Sequence, residues 1–213
     1  MDHSSQSQYS QWPEILNDPQ ALRGEDRRNV IDYYKYWETE AIRADLDQRR
    51  HPFAVMVENL AIDFNVGTVL RNCNAFLAER LWLVGHNRWD RRGAMGVHNY
   101  EHLSKAKDSR PVIEEYRERG YSIVAVDNQP GAENMLQFQW PQKSLMIFGQ
   151  EQIGISPWSR AEADHLIYIP QWGSVRSLNV GVASGLAMFS WAGQHAAQSD
   201  GFHTNNPTAE KAE

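Results

Sequence analysis

Ile169-Pro170-Gln171-Trp172-Gly173-Ser174-Val175-Arg176-Ser177-Leu178-Asn179-Val180 is the stretch on which the fold turns. An apolar run ends at Pro170, a turn follows around Gly173, and polar residues open a long apolar segment. The pattern is that of a strand, a turn and the start of a helix. A helix start leaves backbone N–H groups free, and a glycine turn lets backbone approach a ligand closely. Ser177 and Asn179 add a hydroxyl and an amide that can be aimed at it, so the junction reads as a ligand site.

Upstream of this junction, short apolar runs alternate with helix-like stretches. Phe53–Val57, Leu81–Gly85, Tyr121–Asp127, Ser144–Gly149 and Leu166–Pro170 read as strands, and 66–79, 109–119, 157–163 and 178–196 as helices. Near-continuous apolar strands separated by helices predict an α/β domain on a parallel sheet, whose strand-end loops are where ligands sit. Residues 86–107 and 128–143 read as long irregular connections. The closing helix, with Leu178, Val180, Val182, Ala183, Leu186, Ala187, Met188, Phe189 and Trp191, has little polar face. Such a helix is buried on both sides, against its own sheet and against a second subunit, which predicts a homodimer.

The remaining sequence bounds the molecule. Residues 1–26 are polar and broken by Pro13 and Pro19, a flexible arm, and 197–213 read as a disordered tail. Between arm and domain, 27–50 carries Val30, Tyr33, Tyr34, Trp37, Ala41 and Ile42 at helical spacing. That helix either packs on its own core or contacts RNA or a second subunit through Arg23, Arg27, Arg28, Lys35 and Arg43. The domain proper then runs 51–196. A chain of 213 residues that is 41% hydrophobic supports one well-buried domain with appendages. Cys73 is the single cysteine, no apolar run has membrane-spanning length, and the N-terminus lacks a signal-peptide core. These features predict a soluble cytoplasmic protein with no membrane partner. A net charge of −6 argues against indiscriminate nucleic-acid binding while leaving room for a local basic face.

Two further segments share the character of the opening stretch: Asn65-Val-Gly-Thr-Val-Leu-Arg71-Asn72 and Phe148-Gly149-Gln150-Glu151-Gln152-Ile153-Gly154. With 169–180 they resemble, in order and at compatible spacing, the three motifs of the SpoU (TrmH) branch of the SPOUT methyltransferases. The likeness spans roughly residues 53–195. It implies a SPOUT (α/β-knot) fold, a parallel sheet whose C-terminal segment forms a trefoil knot around the cofactor. It also implies transfer of a methyl group from S-adenosyl-L-methionine to a ribose 2′-hydroxyl of RNA, without a metal.

Carried over residue by residue, the resemblance makes Arg71, Asn65, Glu151, Ser177 and Asn179 catalytic. Gly149, Ile169 and Leu178 become cofactor-binding, and Asp127, at the end of an earlier strand, is a further candidate for the same pocket. The matching arginine is the one proposed to activate the 2′-hydroxyl. An arginine is effectively always protonated, so clamping phosphate and stabilising an alkoxide suits it better than accepting a proton. Glu151 is placed to orient the guanidinium through a charge-assisted pair. Ser177 also has the simpler reading of an N-cap for the last helix. Arg88, Arg91, Arg92, Lys105, Lys107 and Arg110 cluster about one long loop and are candidates for RNA contact. In its short N-terminal appendage and in Arg176-Ser177-Leu178-Asn179 the chain resembles the tRNA-modifying members of the family more than the ribosomal-RNA members that carry an added domain, and this resemblance implies tRNA over rRNA as substrate.

Other readings are weaker. His98 and His102 have a spacing that can hold a metal, but the segment lacks the glutamate of a zinc-protease motif. The glycines of 149–154 lack the lysine of a phosphate-cradling loop, and no strand is followed by the glycine fingerprint of a dinucleotide fold. The rival from a different class is a catalytically silent RNA-binding protein of the same fold.

Overall fold

A computed structural model describes residues 26–58, 63–85, 89–150 and 153–196. The expected tail, all of the expected arm except Asp26, and Arg23, Arg88 and Glu151 lie outside them. In chain order the elements are α1 (Thr39–Asp47), β1 (Phe53–Glu58), α2 (Asp63–Ala75), β2 (Leu81–Val84), β3 (Leu103–Ala106) and α3 (Arg110–Glu118). β4 (Ser122–Val126), β5 (Glu133–Asn134), β6 (Ser144–Phe148), α4 (Pro157–Ala161), β7 (His165–Tyr168) and α5 (Val180–His195) follow.

The seven strands form one sheet in the order β3-β2-β1-β6-β4-β7-β5, and every pairing is parallel. Apolar residues alternate between its two faces. Phe53, Val55, Val57, Met146 and Phe148 point into a core shared with α2 and α5, while Ala54, Met56, Leu145 and Ile147 point into a second core with α3 and α4. Burial on both faces is why these strands read as continuous apolar runs. Two of the seven were not expected. β3 sits at the sheet edge with Lys105 exposed, and β5 is two residues long, so both fell inside segments expected to be irregular.

The expected helix over 27–50 is divided. A 3-10 turn at Asp32–Tyr34 and α1 are separated by Tyr36, whose φ of 67° is left-handed. Asp26 holds that kink, its Oδ2 accepting from Tyr36 N at 2.8 Å while its carboxylate pairs with Arg28 at 2.6 Å. Tyr34, Trp37, Ile42 and Leu46 form a small core with Tyr100. Three of the basic residues here, Arg28, Lys35 and Arg43, are bound internally. Arg28 Nη1 donates to Trp37 O at 2.7 Å, Lys35 Nζ to Arg28 O at 2.7 Å, and the Arg43 guanidinium to Asn99 O. Of the two expectations, packing on its own core is the one these contacts satisfy.

Candidate active site

All the strands point the same way, so their C-terminal ends share one edge of the sheet, the usual place for a ligand in an open α/β fold. β6, β4 and β7 are adjacent, and the residues that follow them line a cavity of about 660 Å³. β4 delivers Asp127, β6 delivers Gly149, and β7 delivers Ile169 and then Ser177 and Leu178. Val180 and Ala183 of α5 complete the wall. The four expected cofactor residues and Ser177 therefore meet in one place.

The loop after β6 is packed backbone against backbone. A Cβ on Gly149 would lie 2.0 Å from the carbonyl carbon of Gly154, so only glycine fits. Gln150 and Gly154 exchange backbone hydrogen bonds at 3.2 and 2.7 Å, and Gly154 takes a φ of 77°. Two carboxylates hold this loop from opposite neighbouring strands. Asp127, just past β4, accepts from Ile155 N at 3.3 Å. Glu58, the buried last residue of β1, accepts from Ser156 N at 2.8 Å, from Ser156 Oγ at 3.1 Å and from Ser159 Oγ. Sequence reasoning missed Glu58. Its signal was a carboxylate closing the apolar run Phe53–Val57.

The start of α5 is fastened to α2. Asn179 Oδ1 accepts from Gly181 N at 2.8 Å and from Val182 N at 3.4 Å, capping the helix, and Asn179 Nδ2 donates to Asn65 Oδ1 at 3.0 Å. The N-cap is thus Asn179 and not Ser177, because the helix begins later than a Ser177 cap requires. Gly181 lets the helices approach, since a Cβ there would stand 2.7 Å from Thr68 Cγ2. Asn72, also missed, donates to Gly181 O at 2.7 Å and Ser184 Oγ at 3.1 Å. Two asparagines about two turns apart on α2 thereby read the first turn of α5.

Arg71 stands apart from this packing. It is exposed on α2 and is not among the residues that line the cavity. It lies four residues from Gly67 and so on the same helix flank. A Cβ on Gly67 would be 2.4 Å from the carbonyl carbon of Gly93, so the 3-10 turn Arg91–Ala94 lies directly against that flank. Arg91 and Arg92 are exposed on the turn, with Arg92 paired to Asp90 at 2.6 Å. Lys105 and Lys107 are exposed on and just beyond β3. Arg110 instead lies over the Trp158 ring at 5.2 Å. His98 and His102 serve different neighbours: His98 packs edge-on to Trp89 at 6.0 Å, and His102 Nε2 meets Asp47 Oδ1 at 2.8 Å.

The model of the SpoU rRNA methylase family matches residues 52–189, which takes in every strand and all three motifs. The chain belongs to the SpoU rRNA methylase family. Among SpoU relatives, the tRNA (guanosine(18)-2′-O)-methyltransferase of Thermus thermophilus is 29% identical over 158 residues, covering 71% of this chain and 81% of its own. The Aquifex aeolicus TrmH/SpoU tRNA-modifying enzyme superposes with a TM-score of 0.67 at 25% identity, covering 73% of this chain and 81% of that one. An AdoMet-bound rRNA methyltransferase of Sinorhizobium meliloti superposes with a TM-score of 0.61 at 26% identity over 69% of this chain and 59% of its own. The SpoU assignment and the parallel α/β sheet agree with the expected fold class.

Proposed function

We propose that this protein transfers the methyl group of S-adenosyl-L-methionine to a ribose 2′-hydroxyl of RNA, with tRNA the preferred substrate class. The observation that carries the reading is the Asn65–Asn179 bridge standing beside the glycine-cradled cavity. It ties the first and third motifs together next to a pocket of cofactor size. The AdoMet-bound relative supports the cofactor, and the tRNA-specific relative supports the substrate class. A silent RNA-binding fold has no need of a loop that only glycine can close.

The cavity fits the cofactor in chemistry as well as volume. Phe148, Ile169 and Leu178 offer apolar surface for a purine, and Asp127 offers a carboxylate for hydroxyl or ammonium groups. Bound there, S-adenosylmethionine supplies a methyl carbon already activated by its sulfonium. The protein has to align the ribose oxygen with that carbon and stabilise negative charge as the oxygen loses its proton. Arg71 does the second task in this reading. Its exposed guanidinium grips a substrate phosphate and the developing alkoxide, a planar donor fork that remains charged throughout. Asn179 fixes Asn65, six residues before Arg71 on α2, and Glu151 is assigned the orienting role that the resemblance implies.

The basic residues Arg91, Arg92, Lys105 and Lys107 are proposed to meet the RNA backbone, with Arg88 joining them from the same connection. Val182, Leu186 and Phe189 leave an apolar stripe on α5 that is 52%, 39% and 67% exposed, and a second copy of the chain is proposed to cover it. The trefoil threading belongs to the same proposal. It has the support of α5 packing on α2 after the chain has passed β7, on the far side of β6 and β4. Among the described residues no helix is long and apolar enough to cross a membrane.

Nucleoside mass spectrometry of RNA from a strain lacking the gene tests the function. The expected result is loss of one 2′-O-methylated nucleoside from tRNA, restored by the wild-type gene and not by Arg71→Ala. An unchanged tRNA and rRNA profile would reject it.

A further inference from the structure

Trp172 is 86% exposed. The other described tryptophans sit elsewhere in the burial scale: Trp37, Trp140 and Trp191 are buried, and Trp82, Trp89 and Trp158 are half-buried. An indole left in water adds nothing to the core, so its use lies outside the folded chain. It does not stand alone. Gln171 before it and Arg176 after it line the cavity, so the turn 172–175 leaves the rim and returns to it. Val175 on that turn is exposed, as is Ile153, a lining residue from the loop after β6. Three exposed apolar side chains therefore border one opening.

What enters that opening in the proposed reaction is a ribose. Its 2′-oxygen has to reach the methyl carbon of a cofactor held inside, which carries the attached base to the rim and away from its neighbours in the RNA. A base taken from its stack loses a partner on each face, and an aromatic side chain can replace one of them. Consecutive Cα atoms stand about 3.8 Å apart, so Trp172 begins one residue step from the cavity wall at Gln171. Arg176, exposed where the turn rejoins the rim, brings a cation suited to a phosphate of the same strand. A second copy of the chain has its own apolar surface in Val182, Leu186 and Phe189. The turn at Trp172 instead joins a flat ring and a cation at the mouth of a cavity, the two features that hold an unpaired nucleotide.

We propose that Trp172 is the stacking platform for the base of the nucleotide being methylated, a substrate-positioning residue that holds the ribose over the cavity. This rests on the methyl-transfer reading and deepens it on the RNA side. Every base has a π-face, so the indole strengthens RNA binding without choosing the base. In this role it acts on the RNA and leaves the cofactor to the residues that line the cavity.

Steady-state methylation of tRNA and ribosomal RNA from a strain lacking the gene, with S-adenosylmethionine saturating, tests the platform on whichever RNA accepts the methyl group. Trp172→Ala should raise the KM for that RNA about tenfold or more, with kcat changed less than KM. Its affinity for S-adenosylhomocysteine should stay within about twofold of wild type. Trp172→Phe should bring KM back to within about threefold of wild type, and Trp172→Leu, apolar but not aromatic, should not. Adding the RNA should quench the tryptophan emission of wild type more than that of Trp172→Phe, a signature that a structural role would not give. A wild-type KM in Trp172→Ala overturns the proposal, as do equal rescue by leucine and phenylalanine or an equal quench in the two proteins. Parallel loss of S-adenosylhomocysteine affinity overturns it by returning the indole to the cofactor pocket. A changed mass in light scattering overturns it too, by assigning the indole to a contact between copies. Wild type that methylates neither RNA rejects the function and the platform with it, an outcome distinct from normal turnover that ignores residue 172.

Discussion

Asn179 uses its two side-chain polar atoms on two different helices: Oδ1 caps α5 through Gly181 N at 2.8 Å, and Nδ2 holds Asn65 Oδ1 of α2 at 3.0 Å. One residue therefore fixes the start of the last helix and the orientation of a buried amide on the first motif. Asn179→Ala is expected to lower stability by about 1–2 kcal/mol from the lost cap. Asn179→Asp keeps the capping oxygen and loses the donor to Asn65. The aspartate variant should recover most of the stability in chemical denaturation and little of the methyl-transfer rate. Recovery of both would leave the Asn65 contact without a role in the reaction.

Gly149 provides a test of the loop. Its Cβ would have to occupy space 2.0 Å from the Gly154 carbonyl carbon, so Gly149→Ala must displace the Gly154–Ile155 backbone that Asp127 and Glu58 hold through Ile155 N and Ser156 N. Affinity for S-adenosylhomocysteine, measured by calorimetry, should fall by more than about tenfold, or ~1.4 kcal/mol. Gly131→Ala separates backbone strain from steric clash, because Gly131, unlike Gly149, takes a left-handed φ of 87° and nothing lies within 4 Å of a Cβ there. It should cost stability and leave ligand affinity unchanged.

The N-terminal segment carries a pH dependence of its own. Burial works to raise the pKa of Asp26, but the Arg28 guanidinium and the Tyr36 and Arg28 amides outweigh it and hold the carboxyl well below its ordinary value of 3.8. A carboxyl depressed in the fold contributes stability that is complete above its unfolded pKa and is lost as pH falls through the folded one. Asp26→Asn should therefore cost about 1–3 kcal/mol at pH 7. Denaturant melts of the two proteins should converge as the pH is lowered below about 4. A gap that stays constant with pH would mean the ionised carboxylate is not what holds the Tyr36 kink.

The apolar stripe on α5 predicts the oligomeric state. Light scattering should give a dimer for wild type, and Leu186→Glu with Phe189→Glu should give a folded monomer. A wild-type monomer at tens of micromolar would assign the stripe to something other than a second copy.

What could be read in advance follows from where information sits in a chain. Strands β1, β2, β4 and β6 were legible because burial on both faces leaves few polar residues to blur the run, and β7, of which Ile167 alone is buried, was legible as the apolar run that ends at Pro170. β3 was not, since Leu103-Ser-Lys-Ala106 is an edge strand with a wet face, and β5 is too short to carry a pattern. The break at Tyr36 escaped because an aromatic residue in the left-handed region is stabilised by Asp26, ten residues away, rather than by local propensity. At the site, motif resemblance picked out Asn65 and Asn179, while their hydrogen bond spans 114 residues and is a product of the fold. Glu58 and Asn72 were missed for the same reason. Each acts through partners that only the folded chain brings near.

In the proposed function Arg71 stabilises the transition state of methyl transfer from outside the cofactor cavity. Single-turnover methylation by Arg71→Ala, with tRNA and S-adenosylmethionine both saturating, tests it most directly, accompanied by calorimetry with S-adenosylhomocysteine. The rate should fall at least about a hundredfold, or ~2.7 kcal/mol, with ligand affinity within about twofold of wild type. Arg71→Lys should restore little, because a point charge cannot span phosphate and ribose oxygen as a planar fork does. An Arg71→Ala protein that keeps more than about a tenth of the wild-type rate, a loss below ~1.4 kcal/mol, would remove Arg71 from the transition state.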